Sequence, residues 1–147
     1  MNTSERIAHD IATLGFSTIA VGDPSGTFAY TVGFTELGHP EILISGLRGE
    51  ICHQLFWDMF KLIKGGKRYV AGETVTELAN LPTAFRPLRQ SAAREFACQA
   101  LFRYEGTDKV PTFLQMVMPD KAGLMPWEAG FDKYAMRGQR HLWVQLH

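Results

Sequence analysis

The sequence predicts an α+β protein, a single domain over residues 1–147 in which about three helices pack on an antiparallel or mixed β-sheet. Three observations favour this fold class. The length of 147 residues suits one domain, strand-like runs are separated by dense turn signals, and three stretches change to helical periodicity. Strands and helices alternate too irregularly for a doubly wound parallel fold.

The first predicted element is a helix over residues 3–13. Ser4 can cap its amino terminus, and Gly15 ends it. Apolar residues recur there at helical spacing, at Ile7, Ile11 and Leu14.

Three strands are predicted after this helix. Residues 16–21 and 28–34 form a hairpin, because residues 22–26 between them are dense in turn formers. Residues 37–40 make the next turn, since the residue before a proline is pushed out of helical geometry. The third strand covers residues 41–45.

The middle of the chain begins with a second helix, predicted over residues 48–64 from its broad apolar stripe. Residues 65–66, both glycine, end it. One or two strands are expected over residues 69–78. Residues 80–87 contain two prolines, and we expect an exposed loop there.

The last part of the chain predicts a third helix over residues 88–105, which Gly106 ends. A strand over 112–118 follows, then a turn-rich segment over 119–133 and a short final strand over 142–146. The apolar face of the third helix is formed by Phe96, Ala97, Ala100, Leu101 and Tyr104.

Charge and composition bound the classes of partner. Lysine and arginine total 15, as do aspartate and glutamate, so the net charge is zero. A neutral chain has no long-range attraction for nucleic acid or anionic membranes, and it resists self-association weakly. We therefore expect a homo-oligomer and neither nucleic-acid nor membrane binding.

Three sequence features bear on localisation. No apolar run approaches about 18 residues, and the amino terminus does not resemble a secretory signal. Two cysteines are too few for a disulfide framework, so we expect a cytoplasmic protein.

Two strands near the start carry candidate site residues. Tyr30 lies on a large apolar strand face and needs a hydrogen-bond partner, while Thr31 lies on the opposite, small-residue face. That small face predicts either close packing or the floor of a pocket. Glu41 opens its strand directly after Pro40, where its carboxylate can pair with a backbone amide or act as an acid or base.

A second group of candidates lies in residues 113–131. Gln115 is predicted to be a partly buried amide, which holds a loop or grips a ligand. Asp120 can accept a hydrogen bond from its own turn, and Trp127 is large enough to cover the core or a pocket. The segment is either a structural loop or the richest site region of the chain.

Other chemistry is not indicated by the sequence. Cys52 and His53 are adjacent in a helix, so their side chains diverge and cannot form a catalytic pair. The histidines lack the spacing of metal ligands, so we expect no metal. Residues 64–68 are basic and glycine-rich but follow a helix, so they do not match a phosphate-binding loop, and we expect no cofactor. Nucleic-acid binding through residues 64–68 and 86–94 is the weakest of three hypotheses.

Two motifs occur in order along the chain, at Gly15-Phe16, residues 28–33, Pro40-Glu41, Gly46-Leu47, Gln115, Val117, Pro119, Asp120, Gly123, Pro126, Trp127, Gly130 and Phe131. Together they resemble an uncharacterised bacterial family, the domain-of-unknown-function family 4262. The resemblance covers nearly the whole chain, although Met118 stands where the family usually has tryptophan and Phe34 where leucine is common. It implies no activity, but it suggests that the six candidate site residues cluster in the fold.

The leading functional hypothesis is a small binding or interaction module without chemistry of its own. The alternative is a small-molecule-binding protein or enzyme whose pocket combines the 28–33 strand, Glu41 and the 115–131 segment. In that alternative Glu41 or Asp120 is the acid–base group, and Gln115 and Tyr30 orient the ligand. Trp127 and Thr31 complete the candidate set.

Overall fold

A six-stranded mixed sheet forms the centre of the protein, in a computed structural model that describes residues 1–23, 26–134 and 136–146. In spatial order the strands run β1-β2-β3-β6-β5-β4. The β3–β6 pair is parallel and every other neighbouring pair is antiparallel. The strands are β1 Ser17–Asp23, β2 Gly26–Val32, β3 Glu41–Ser45, β4 Thr74–Val75, β5 Thr83–Pro87 and β6 Phe113–Val117.

Helices pack on both faces of this sheet, so the predicted α+β class with a mixed sheet is confirmed. The described residues contain four α-helices rather than about three, and one turn of 3₁₀ helix over Phe34–Leu37. None of these helices is long and apolar enough to span a membrane. The α-helices are α1 Thr3–Leu14, α2 Gly49–Lys64, α3 Gln90–Phe96 and α4 Cys98–Tyr104.

The extra helix arises because the predicted helix over 88–105 breaks at Ala97. That residue has φ −116° and ψ 35°, outside helical geometry. The break leaves the Gln99 amide without a helical acceptor, and this amide donates instead to the Tyr30 hydroxyl at 3.2 Å. A strand residue therefore stabilises the start of α4.

The expected loop over 80–87 is wrong, because residues 83–87 form β5 inside the sheet. Pro82 and Pro87 bracket the buried residues Thr83, Ala84 and Phe85, so neither proline removes an amide from the middle of the strand.

Two further predictions differ from the structure, and a third lies partly outside the described residues. The expected strand over 142–146 reduces to one bridge between Leu88 and Trp143. The helix cap is the Asn2 side chain, which accepts from the Glu5 amide at 2.8 Å, rather than Ser4. Of the predicted turn over 22–26, residues 24–25 lie outside the described residues.

The two faces of the sheet have different partners, because side chains alternate along each strand. One face packs against α2, with Ile42, Ile44, Phe85 and Met116 in its buried cluster. The other face packs against α1, α3 and α4, and its cluster includes Tyr30, Val32 and Leu43. Further along this second face, over β5 and β6, lies a separate cluster of Ala84, Val117, Met125 and Trp143.

Candidate functional site

Glu41 lies at the start of β3 with no exposed side-chain surface. Its carboxylate accepts the Thr31 hydroxyl at 2.7 Å and the Thr35 hydroxyl at 2.6 Å. It also accepts the backbone amides of Gly33 at 3.1 Å, Phe34 at 3.0 Å and Thr35 at 2.9 Å. Five donors therefore converge on this one carboxylate, which caps the 3₁₀ turn that follows β2.

Burial raises the pKa of the Glu41 carboxyl above its ordinary value. Hydrogen bonds from the side chains of Thr35 and Thr31 and from the amides of Thr35 and Gly33 oppose that rise. Since the carboxylate is wholly buried and both its oxygens are engaged, it has no open position for a substrate. Glu41 and Thr31 form a structural network.

Tyr30 is also engaged inside the fold. The residue is 1% exposed, and its hydroxyl accepts the Gln99 amide where α3 breaks into α4. Burial raises the pKa of the Tyr30 hydroxyl to about 12. The phenol thus stays neutral and positions a helix.

Gln115 joins β6 to the carboxyl-terminal segment, which we define as residues 136–146. Its Nε2 donates to the Arg140 carbonyl at 2.9 Å, and its Oε1 accepts the Leu142 amide at 3.2 Å. Both functions of the buried amide are satisfied, as expected for a side chain that fixes a loop. The Gln115 side chain therefore substitutes for the missing final strand.

A second set of contacts holds the same segment at Gln139. The Gln139 side chain accepts the Met118 amide at 2.7 Å and donates to the Met118 carbonyl at 3.1 Å. The Arg140 amide donates to the Ser45 hydroxyl at 2.9 Å. The segment is consequently attached to the sheet along several consecutive residues.

Asp120 organises the loop that carries Trp127. Its carboxylate accepts the backbone amides of Ala122, Leu124 and Asp132, each at 2.9 Å. These bonds, above all that from Asp132, hold the pKa of the Asp120 carboxyl below its ordinary value of 3.8, against the opposing effect of burial. The carboxylate is thus the centre of the loop from 120 to 132.

A pH-dependent stability contribution is expected from Asp120. Because its pKa is lower in the folded chain, the contribution is present above the ordinary pKa of 3.8 and is lost as the pH falls through the folded value. We expect Asp120→Asn to lower the melting temperature at pH 7, since an amide NH₂ then faces backbone donors, and to flatten the acid limb of the stability curve. Circular dichroism melts from pH 7 into the acid range check this. Parallel curves for the two proteins would contradict it.

The loop and the carboxyl-terminal segment together enclose a cleft of about 400 Å³. Small-molecule sites are typically about 300–1,000 Å³, so the cleft has the size of a ligand site. The described residues that line it include no carboxylate and no thiol. We call it the aromatic cleft, and its most distinctive side chains are Trp127, Lys133, Tyr134, Arg137, His141 and Trp143.

The aromatic wall of the cleft rests on a packed base. Trp143 is only 4% exposed, and its ring lies 5.9 Å from that of Trp127 in an edge-on arrangement. The His141 ring is 4.0 Å from the Trp143 ring, and the Arg86 guanidinium lies 4.2 Å above the Trp127 ring. Closely packed rings with a cation over one of them make a fixed surface rather than a mobile one.

The predicted site residues therefore separate into groups. Thr31 contacts Glu41 directly, but Glu41 pairs with the first residue of β6 and Asp120 follows the last one. β6 alone separates those ends by about 13 Å at the usual rise per residue. Of the six, only Trp127 lines the aromatic cleft, while Gln115 and Asp120 hold its two walls.

Sequence reasoning missed most of the cleft. His141 and Trp143 lie in or beside the stretch predicted as a final strand, and no sequence motif points to Lys133, Tyr134 or Arg137. The available signal is local composition, since residues 131–143 combine aromatic and basic residues with one acid, Asp132. No group of three side chains suited to a metal ion occurs in the described part of the chain.

Comparison with known proteins gives one match. A family model described as a domain of unknown function, DUF4262, matches residues 10–132. No curated protein and no solved structure matches the chain. The match covers β1 to β6 and the loop carrying Trp127, and it ends before His141 and Trp143. The predicted resemblance is confirmed, and the chain belongs to the DUF4262 family.

Proposed function

We propose that the protein is a binding module, without chemistry of its own, that holds a planar anionic small molecule in the aromatic cleft. The observation that carries this proposal is the pairing of closely packed aromatic rings with basic side chains in a cleft whose described lining contains no carboxylate. The rings are those of Trp127, His141 and Trp143, and the cations are Lys133 and Arg137.

The ligand class follows from this combination. Aromatic walls favour a flat, unsaturated group that can stack at van der Waals distance. One face of the Trp127 indole is already covered by Arg86, so a ligand uses its other face or its edge. Lys133 and Arg137 favour a carboxylate or phosphate on the ligand, and no acidic side chain in the described lining repels it.

Binding without catalysis is favoured because the acid–base candidates are already engaged. The carboxylates of Glu41 and Asp120 already accept hydrogen bonds from backbone amides. Among the described residues that line the cleft, His141 is the one histidine, and its ring lies 4.0 Å from the Trp143 ring. An interaction module of this kind is also expected to self-associate at zero net charge, which stays a prediction.

The direct test uses the three tryptophans as reporters. Naphthoate, a planar anion, is titrated into labelled protein while the indole N–H signals are followed by NMR. We expect the signals of Trp127 and Trp143 to move. The Trp57 signal stays fixed, because that indole donates to His53 at 3.0 Å outside the cleft. Movement of the Trp57 signal alone would contradict the proposal.

Charge selectivity is tested with naphthamide, the neutral analogue of the same shape. We expect it to bind about tenfold more weakly, which corresponds to about 1.4 kcal/mol for the lost attraction. Arg137→Gln should remove most of that preference, whereas Arg103→Gln, outside the cleft lining, should leave it unchanged. Equal affinities of the wild type for naphthoate and naphthamide would contradict the assignment of an anionic ligand.

A further inference from the structure

A second and larger cavity lies on the face of the sheet that packs against α1, α3 and α4. It shares no lining residue with the aromatic cleft. It measures about 660 Å³ and is bounded by α3, α4, the end of β5 and the segment that leads into β6. We call it the helix-side groove. We propose that it is a separate binding site for a straight-chain amphipathic carboxylate, with the chain in the groove and the carboxylate at Arg94.

The walls of the groove suit an aliphatic chain. Leu88 and Ala93, 8% and 7% exposed, line the groove together with the half-buried Leu101 and Phe113. Phe113 is the only aromatic ring among the described lining residues, so the groove has no pair of rings to stack on a planar ligand. This lining separates its ligand class from that of the aromatic cleft.

Two prolines reduce the number of backbone N–H donors in these walls. Pro87 and Pro111 line the groove and have no amide hydrogen to leave unsatisfied. The Pro87 carbonyl is engaged as well, since it accepts the Val144 amide at 2.8 Å. An apolar chain therefore covers little backbone that needs water.

Arg94 is the one charged side chain among the described residues that line the groove. Arg94 is exposed on α3, and no ion pair of Arg94 occurs among the described residues. Gln90 precedes it by four residues, so both donors lie on the same side of the helix and both line the groove. A guanidinium forms two parallel hydrogen bonds to a carboxylate, with the Gln90 amide beside it. No acidic side chain occurs among the described residues that line the groove.

The open end of the groove explains why a chain is expected rather than a compact molecule. Val110 lines it and is 81% exposed, which leaves an apolar side chain facing solvent at the mouth. A long ligand covers both the inner wall and this exposed valine. Affinity should consequently rise with chain length until the groove is filled.

The test is a homologous series of saturated carboxylates, from hexanoate to dodecanoate, kept below their micelle concentrations and followed by amide NMR shifts. We expect shifts at Ala93, Leu101 and Val110 and an affinity gain of roughly fourfold per methylene. Alcohols of the same length should bind about tenfold more weakly. No dependence on chain length, or equal binding of alcohols, would overturn the proposal.

Substitutions at exposed positions are chosen so that a change in binding does not arise from a loss of folding. Arg94→Gln should lose the preference for carboxylate over alcohol, and Val110→Asp should weaken the longest chains most. Arg103→Gln is the control, since this arginine lies on α4 outside the groove lining. Unchanged binding in both groove variants would count decisively against the site.

The same protein samples also distinguish two alternative explanations of the groove. Carboxylate shifts confined to the Trp127 and Trp143 indoles would place the ligand in the aromatic cleft and overturn the second site. A dimer seen by light scattering that Val110→Asp dissociates, with no carboxylate binding, would make the groove a contact between two copies and also overturn it. Naphthoate binding tests the cleft independently, so failure at one site is distinguishable from failure at the other.

Discussion

Glu41→Ala is expected to lower the free energy of unfolding by about 4–5 kcal/mol, the largest effect of any single substitution considered for this protein. The change leaves the amides of Gly33, Phe34 and Thr35 without their acceptor in a buried position, and it leaves a cavity. Domains have a total stability of about 5–15 kcal/mol. Chemical denaturation followed by circular dichroism should therefore show a protein that is marginally folded or unfolded.

Glu41→Gln separates the loss of charge from the loss of volume. One amide oxygen still accepts, but the NH₂ group faces backbone donors in either orientation. It meets the Phe34 amide in the place of Oε1, and the Gly33 and Thr35 amides in the place of Oε2. We expect about half the cost of the alanine variant. Glu50→Gln is the control, because the Glu50 side chain is 73% exposed and its pair with Arg48 should contribute about 0–1 kcal/mol. A Glu41→Ala protein within about 1 kcal/mol of the wild type would refute the structural role.

The position of Glu41 could be predicted from sequence, but its role could not. Its strand is recognisable, since residues 42–44 are an apolar run in a stretch bounded by Pro40 and Gly46. Its hydrogen-bond donors are backbone amides, which carry no sequence signature. They point at the carboxylate because Gly33, with φ +124°, turns the chain sharply at the end of β2. That turn also places Phe34 in a 3₁₀ helix rather than in the predicted strand.

β5 shows how tertiary pairing overrides local signals. Two prolines in residues 80–87 predicted a loop, yet residues 83–87 pair with β6 on one side and β4 on the other. The partner strand lies on the far side of α3 and α4 in the sequence, so no local pattern reveals it. The strand can form because Pro87 is its last residue and Pro82 lies just before its first, so neither proline interrupts the pairing.

Of the side chains that distinguish the aromatic cleft, only Trp127 was predicted as a site residue from the sequence. Its second wall depends on the carboxyl-terminal segment, whose residues make no regular strand and are held by side chains of Gln115 and Gln139. Such contacts depend on geometry between distant parts of the chain. Residue type alone could identify aromatic and basic side chains there, but not their convergence.

Gly46→Ala should have the second-largest effect, because it affects both the fold and the cleft. A Cβ at Gly46 would lie 2.8 Å from the Gln139 nitrogen and 2.9 Å from its Cα. These are backbone atoms, so the carboxyl-terminal segment itself must move. The φ of +94° adds the usual cost of a left-handed residue, for a total loss of about 3 kcal/mol in unfolding free energy.

The matched control for this substitution is Gly38→Ala. Gly38 also has a positive φ, of +70°, but no atom within 4 Å of a Cβ built there, so only the conformational cost of about 1–2 kcal/mol remains. Naphthoate binding distinguishes the two further. It should weaken in Gly46→Ala, since His141 and Trp143 move with the displaced segment, and remain unchanged in Gly38→Ala. Equal losses of stability and undiminished binding in both variants would mean that the Gly46–Gln139 contact does not hold the cleft together. The aromatic wall would then depend on Gln115 and on the packing beneath Trp143 alone.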